Sequence, residues 1–415
     1  MELCLKSFFL IKKQRLHTLE VSFIHKPMGF ILYHVSDRLR NLRNGWQGIH
    51  TFYLTLFCFA LLSGCTQTTT PAALESKMIS NENCRLISLT DHETQLPVIG
   101  AEDFAIDHEA DKLYISAYDR RSVERAAKKR ANKKIPTGGL YAINISQLRE
   151  PKKKTHTISS LIRADDVDGG LRPHGISYDK KNQELAFINR AYFRKGNKWK
   201  MHPQLERIKI NGALILSKPN PLTCSANNLL QTNSKILISY DHKACNWYAG
   251  LEDIFSLRES GLKFANDGPI EGQVIFEKAG FANGVTNTEN GDIALAATRE
   301  KALHLFNNDD SDISYKQAVK LPGAPDNLTI SHDGAIIAAL HPSLLRMGAH
   351  RKFRLGISPS KLVRIDPATN IVTTLFHDVS GTLFSAATVG VETQKEIILG
   401  SVTQPGLLFC EKNLK

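Results

Sequence analysis

Residues 323–342 read GAPDNLTISHDGAIIAALHP. Two short apolar runs, 328–330 and 335–340, flank the turn formers Ser331, His332, Asp333 and Gly334, which is the pattern of a β-hairpin. The pair Asp326 and Asn327 stands where the first strand enters the core, although such side chains usually cap turns. The same order of small polar pair, apolar strand, tight turn and second apolar strand recurs at AEDFAIDHEADKLYISAYD, RPHGISYDKKNQELAFINR, SANNLLQTNSKILISYDH, FANGVTNTENGDIALAAT and SAATVGVETQKEIILGSVT. The key positions are 103, 175, 228, 284, 327 and 388, at steps of 72, 53, 56, 43 and 61. Repetition of this kind predicts six structural units.

A third apolar run follows each hairpin: GLYAINI, QLERIKI, EDIFSL, ALHLFN, KLVRID and LLFCEK. A fourth follows in five units: THTISSLI, GALILS, GQVIFE, YKQAVKL and IVTTLF. Four short antiparallel strands per unit, with no helical pattern between units, predict an all-β fold, a six-bladed β-propeller. The sixth unit ends before its fourth strand, and CRLISLT, starting at Cys84, precedes the first hairpin without a unit of its own. That segment is expected to complete the last blade, so the propeller spans 84–415 and both termini close the ring.

Closure places Cys84 beside Cys410 and predicts a disulfide across the seam. Cys224 and Cys245 flank the third hairpin nearly opposite one another; whether they bond is left open by register alone. An oxidising compartment favours both pairs.

The first 64 residues read as a leader: FYLTLFCFALLSGC follows Arg38, Arg40 and Arg43 as an apolar core follows its basic flank, and Met28 is an alternative start. The apolar run, residues 52–62, is well short of the ~20 residues of a spanning helix. Leu62-Ser63-Gly64-Cys65 resembles a bacterial lipobox, which implies lipid on Cys65, a polar tether over 65–83 and attachment to the bacterial envelope. Thr66 rather than Asp after that cysteine suits the outer membrane, facing the periplasm.

The whole chain is formally +12, with 53 Lys+Arg against 41 Asp+Glu; without the 8 and 3 of residues 1–64 the balance is 45 against 38, or +7. The excess gathers in RRSVERAAKKRANKK (120–134) and Lys152–Lys154. Neither run interleaves aromatics for base stacking, so nucleic acid is not expected as a partner. A solvated helical loop and contact with anionic lipid are the two readings of these runs.

Six inner strands converging on one axis bring their leading residues together: Glu102, Asp103, His174, Asn227, Asn228, Asn283, Asp326 and Asn327. Carboxylate and amide oxygens without cysteine favour a hard cation, calcium before magnesium. In this order GAEDFAID, PHGIS, NN after SA, FANG, DNLTI, HP and the terminal LFCE resemble the paraoxonase/arylesterase family of the gluconolactonase-like superfamily, over residues 84–410. The resemblance implies calcium-dependent hydrolysis of an ester or lactone. It assigns a catalytic calcium to Glu102, Asn227, Asn283, Asp326 and Asn327. A second, structural calcium falls to Asp103, the Ile176 carbonyl and Asn228, where Asn228 replaces a carboxylate. His174 is the candidate base for the attacking water. Asp241, His242 and His341 match positions around the pocket.

Where the family reads NHP after its second hairpin, this chain reads Asn189-Arg190-Ala191. Arginine cannot act as a base; Arg190 is left to bind an anionic substrate or to stabilise an oxyanion. Three long loops, after Asp119, Asn189 and Leu340, are expected on the same face as the metal cluster. The rival expectation is a non-catalytic propeller, with calcium pinning the channel and the loops binding a ligand or envelope partner. A monomer is expected in either case.

Overall fold

The computed structural model describes residues 78–412 except 130–133, 216–219, 223, 233–234, 246–247, 256, 266–271, 310–311 and 354–355. The leader, Met28, Cys65 and the tether up to residue 77 lie outside the described residues.

β1 (Cys84–Asp91) is followed by blade 1, made of β2 (Ala101–Asp107), β3 (Lys112–Ala117) and β4 (Gly139–Asn144), and then by β5 (Thr155–Ile158). Blade 2 is β6 (Pro173–Asp179), β7 (Glu184–Lys195), β8 (Lys198–Lys209) and β9 (Asn220–Pro221). Blade 3 is β10 (Ala226–Gln231), β11 (Ile236–Tyr240), β12 (Ser260–Phe264) and β13 (Val274–Ala279). Blade 4 is β14 (Ala282–Asn287), β15 (Ile293–Ala297), β16 (Ala302–Asn308) and β17 (Ile313–Lys320). Blade 5 is β18 (Ala324–Ile330), β19 (Ile336–His341), β20 (Ser360–Ile365) and β21 (Val372–Asp378). β22 (Ala387–Glu392), β23 (Glu396–Ser401) and β24 (Leu407–Glu411) form blade 6, and β1 completes it. The fold is the six-bladed propeller expected from the repeats.

Apolar residues on both faces of the second strands hold the blades together. In β19, Ile337 and Ala339 pack towards blade 6, while Ile336, Ala338 and Leu340 pack towards blade 4. β15 divides in the same way, with Ile293, Leu295 and Ala297 on blade 3 and Ala294 and Ala296 on blade 5. A strand buried on both faces needs an unbroken apolar run, which is what IALAA and IIAAL are. Six of the apolar clusters among the described residues each fill one interface between neighbouring blades.

β1 pairs antiparallel with β24, with Cys84 opposite Cys410, and the two cysteines are bonded. Cys224 and Cys245 are also bonded, 21 residues apart. Before β1, Ile79 is buried against blades 5 and 6, and its N–H donates to the Leu375 carbonyl at 2.7 Å.

Four expectations are corrected. GALILS is not the fourth strand of blade 2: β9 takes that place, and Leu214 pairs with Ile208 only as an isolated bridge. EDIFSL is not the third strand of blade 3: its first four residues fall in a helix, and SGLKF of β12 takes that place. The Glu252 carboxylate accepts the Lys243 and Ala244 N–H groups at 3.1 and 2.9 Å, which ties the helix to the preceding loop. THTISSLI does not finish blade 1; β5 pairs in parallel with Ser88–Asp91, the half of β1 that runs on past β24, and only a bridge from Tyr141 to Ser160 returns to blade 1. The stretch after Asn189 is not a loop but the tip of a long β7–β8 hairpin, paired out to Lys195 and Lys198. Short helices occupy the other long connections: α1 (Arg120–Ala127), α2 (Ile145–Leu148), α3 (Tyr248–Phe255, containing EDIF) and α4 (Leu344–Gly348).

Candidate functional site at six bulges around the axis

Every inner strand carries a bulge at its polar pair. Pairing with the second strand slips by one residue between Ala101 and Asp103, Pro173 and Ile176, Ala226 and Leu229, Ala282 and Val285, Pro325 and Leu328, and Ala387 and Val389. A bulge leaves one residue outside the ladder and re-aims its side chain. That is why polar residues occupy a strand entrance here: the ladder is interrupted at that point. The backbone groups so released still need partners. Hydroxyls of neighbouring strands supply them: Ser116 Oγ donates to the His174 carbonyl at 2.5 Å, Thr298 Oγ1 to that of Pro325 at 2.7 Å and Thr388 Oγ1 to that of Glu102 at 2.9 Å.

The residues second in their pairs meet across the axis. Asn228 of blade 3 donates from Nδ2 to Asp103 Oδ2 of blade 1 at 3.1 Å and to Asn327 Oδ1 of blade 5 at 2.8 Å. Side chains from three alternate blades can touch only at the centre of the ring. Blades 2 and 4 contribute Gly175 and Gly284 instead. A Cβ on Gly175 would stand 2.6 Å from Asn228 Cα, and one on Gly284 the same distance from Asn327 Cα. Asp103 also accepts the Ile176 and Phe104 N–H groups at 3.0 and 2.9 Å. Burial pushes its carboxyl above the usual carboxylate range against the pull of those donors.

The residues first in their pairs form a second linked set. Arg120 Nη1 lies 2.9 Å from Glu102 Oε1, and His174 Nδ1 lies 3.0 Å from Glu102 Oε2. His174 Nε2 is 3.1 Å from Asn227 Oδ1, and Asn227 Nδ2 donates to Asp241 Oδ2 at 3.3 Å. Asp241 Oδ1 holds His242 Nδ1 at 2.7 Å. On the other side Asn283 Nδ2 donates to Asp326 Oδ1 at 2.6 Å, and His341 Nε2 lies 2.7 Å from Asp326 Oδ2. Asn327 Nδ2, donating to the Glu102 carbonyl at 2.8 Å, joins the two halves. His174 is thus a member of the ring itself, between Glu102 and Asn227.

Burial and the nearby Arg190 charge lower the His174 pKa to about 4 against the pull of Glu102, so the ring is neutral at pH 7. Burial also opposes ionisation of Glu102, yet its cationic neighbours hold that carboxyl well below the usual range. Those neighbours are His174, then Arg120 and Arg190.

Arg120 was not singled out in the sequence. Asp119 caps α1 by accepting the Ser122 N–H at 3.0 Å, and Val123 packs with Tyr118 and Ile135, partly covered by Ala126, Ala127, Tyr192 and Trp199. This docks α1 by its apolar face and turns Arg120 towards Glu102, while Arg125, Lys128 and Lys129 stay exposed, as a solvated helical segment would have them. The spacing of Val123, Ala126 and Ala127 behind a capping aspartate was the available signal. Arg351, half-buried after α4, and Arg190 on β7 complete the surroundings. Arg172, buried at the start of blade 2, donates to the carbonyls of Ile135, Pro136, Gly169 and Gly170 and so fixes the wall next to His174.

Among the described residues no three His, Cys, Asp or Glu side chains gather as a metal cluster. The expected calcium set depends on amides: two carboxylates, Glu102 and Asp326, and three amide oxygens, from Asn227, Asn283 and Asn327, are donor types that suit a hard cation, but Arg120 and His174 engage Glu102, and Asn228 Nδ2 engages Asn327 Oδ1, so an ion would displace these contacts. A half-turn of the Asn283 amide exchanges its N–H contact with Asp326 for an oxygen beside it. Around Asp103 the N–H groups of Phe104, Ile176 and Asn228 engage both carboxylate oxygens, so we derive nothing through a second ion. The contact with Ile176 is through its N–H.

Neither a protein-family model nor a curated protein matches the chain. Solved structures with similarity to it include a gluconolactonase from Xanthomonas campestris, at 14% identity over 82% of this chain and 93% of that one, TM-score 0.46. A virginiamycin B lyase from Staphylococcus aureus matches at 12% identity over 80% and 100%, TM-score 0.42. A luciferin-regenerating enzyme matches at 11% identity over 77% and 92%, TM-score 0.42. The paraoxonase/arylesterase resemblance therefore rests on the ordered motifs alone.

Proposed function

We propose that the axial site hydrolyses carboxylic esters or lactones with His174 as base. The observation that carries this reading is a buried imidazole set between Glu102 and Asn227 within the ring of polar side chains, 3.0 and 3.1 Å from their oxygens. A neutral imidazole carries one N–H and one lone pair, and both nitrogens lie against side-chain oxygens, Nδ1 at Glu102 Oε2 and Nε2 at Asn227 Oδ1; His174 acts as base where one of these oxygens yields its place to the attacking water. Arg190 has a buried Nε with no hydrogen-bond partner. Its N–H groups are donors for an anion, either the negative charge that develops on the carbonyl oxygen or a charge that the substrate carries. The carboxylate–imidazole pairs Asp241–His242 and Asp326–His341 flank the ring and orient the amides between them. Glu102, Asn227, Asn283, Asp326 and Asn327 would hold calcium, which when bound supplies electrophilic polarisation of a carbonyl.

The test is turnover of phenyl acetate and of γ- and δ-lactones, with and without chelator. His174→Gln is expected to lower kcat/KM by about 10²–10⁴-fold, and chelation to lower activity reversibly. Wild-type protein inert towards the whole panel would remove the hydrolase reading. The bridge from Asn228 to Asp103 and Asn327 favours a second reading, because it ties blades 1, 3 and 5 without need of catalysis: a ligand-binding propeller, marked by calcium-dependent thermal stabilisation and no turnover.

Attachment to an outer membrane through lipid on Cys65 is part of the same proposal. Cys65→Ala is expected to release the protein from the membrane fraction; unchanged partition would exclude the anchor.

A further inference from the structure

We propose that Arg190 and Arg351, beside Arg120, form an anion subsite next to His174, so that the substrate carries a carboxylate or equivalent oxyanion group near its scissile bond. The site is assembled from three connections: Arg120 begins α1 in blade 1, Arg190 lies on the β7 arm of blade 2, and Arg351 follows α4 in blade 5. Three guanidiniums share two carboxylates, Glu102 and Glu124. Arg120 is engaged with both, through Nη1 to Glu102 at 2.9 Å and Nε to Glu124 at 3.2 Å. Arg351 reaches Glu124 only at 3.7 Å, too far for a good hydrogen bond, and Arg190 keeps its buried Nε without a partner. One positive charge is thus left over, with N–H donors free to bind.

Proximity is also visible in the electrostatics. The Arg190 and Arg351 charges both act on Glu124, Arg190 acts on His174, and repulsion from Arg120 together with burial lowers the Arg351 pKa. Like charges held together in a partly desolvated place gain most from an anion set between them. The planar fork of a guanidinium fits a carboxylate in two-point fashion, a geometry that neither water nor a neutral amide reproduces. Tyr192, on the same arm as Arg190 and packed against the α1 cluster, gives an apolar wall for the carbon chain of such a ligand.

The inference uses the hydrolase reading only for the bond that is cut, so binding and turnover are measured separately. Binding is measured by calorimetry with glutarate and its uncharged diamide, on the full chain and on Arg190→Gln and Arg351→Gln, with the thermal transition confirming that each variant is folded. Wild type is expected to favour glutarate at least tenfold, and each variant to bring that ratio towards one; Arg351→Lys, which keeps the charge but not the fork, should restore part of it. A wild-type ratio near one would overturn the subsite, as would a ratio unchanged in both variants. In the second arm a γ-lactone bearing a carboxylate is compared with its carboxamide. Preference for the carboxylate form that collapses in Arg351→Gln supports the subsite; equal losses on both substrates in Arg190→Gln and Arg351→Gln would assign these residues to the oxyanion alone. Absence of turnover with the binding preference intact would leave the subsite standing and remove the hydrolase.

Discussion

Glu206 on β8 is buried opposite Phe187, and its Oε1 has no hydrogen-bond partner. Burial, assisted by the charge of Asp168, raises its pKa to about 7. An unfolded glutamate releases its proton near 4.5, whereas the folded one keeps it to about 7, so the folded state binds the extra proton in that window. The stability that the protonated form confers is complete below about 4.5 and is lost as pH rises towards 7, by up to about 3 kcal/mol. Glu206→Gln should therefore melt like wild type at pH 4.5 and several degrees higher at pH 8; a difference independent of pH would show that Glu206 does not titrate in this way. Residues such as this one, and Arg120 and Arg351 at the site, are hard to read in a sequence because their environment is made by loops distant along the chain. The polar pairs were legible for the opposite reason: each repeats at the same point of a hairpin, and the repetition carries the information. Position 190 was legible as a departure, but only the structure shows Glu102, Glu124 and His174 around it.

At the scale of the element, the bulge is what converts six ordinary hairpins into a site. A sequence does not display a bulge, because the extra residue is defined by a partner strand; what it displays is the consequence, polar residues where apolar ones are expected. Helix α3 was misread for a related reason: the apolar residues of EDIFSL suit a strand equally well, and what decides is the Glu252 carboxylate bound to two backbone N–H groups outside the helix. β5 likewise finds its partner only because β1 extends beyond β24. The bulges also explain two glycines. On Gly284 a Cβ would meet Asn327 Cα and Leu328 N at 2.6 Å and the Asp326 carbonyl oxygen at 2.7 Å, all of them backbone atoms of the next inner strand. Gly284→Ala should cost about 1–3 kcal/mol as overpacking and should weaken the proposed calcium binding at least tenfold by displacing Asp326 and Asn327. Gly250→Ala in α3, where no atom lies within 4 Å of the added Cβ, is the control, with stability unchanged or slightly raised. Calcium titration and thermal melting of the two variants decide: equal effects would mean that the close approach of the inner strands does not position the site.

The whole molecule is a ring, and a ring can fail at its seam. Blades 1–5 are each built from one continuous stretch, whereas blade 6 takes β22–β24 from the end of the propeller and β1 from its start, joined by register from Cys84 to Cys410 through Ile87 to Leu407. If β1 detaches, the apolar cluster between blades 6 and 1 loses Ile87 and Leu89, β5 loses its only strand partner, and the first inner strand, with Glu102, is no longer held in place. The Cys84–Cys410 bond prevents this by closing a span of 326 residues, against 21 for Cys224–Cys245. In the chain-entropy account a longer closed loop stabilises more, about 6 kcal/mol for the seam and about 3 kcal/mol for the short loop. The paired variants Cys84→Ala/Cys410→Ala and Cys224→Ala/Cys245→Ala should therefore be ordered in denaturant unfolding, the seam variant being the less stable. The site gives the sharper readout: if it holds the calcium proposed above, opening the seam should release that ion before the remaining blades unfold, seen as loss of binding at denaturant concentrations where the far-ultraviolet signal of the strands is intact. Binding and strand signal lost together in the seam variant, at the midpoint of the short-loop variant, would show that the ring is held by its blade interfaces and not by its closure.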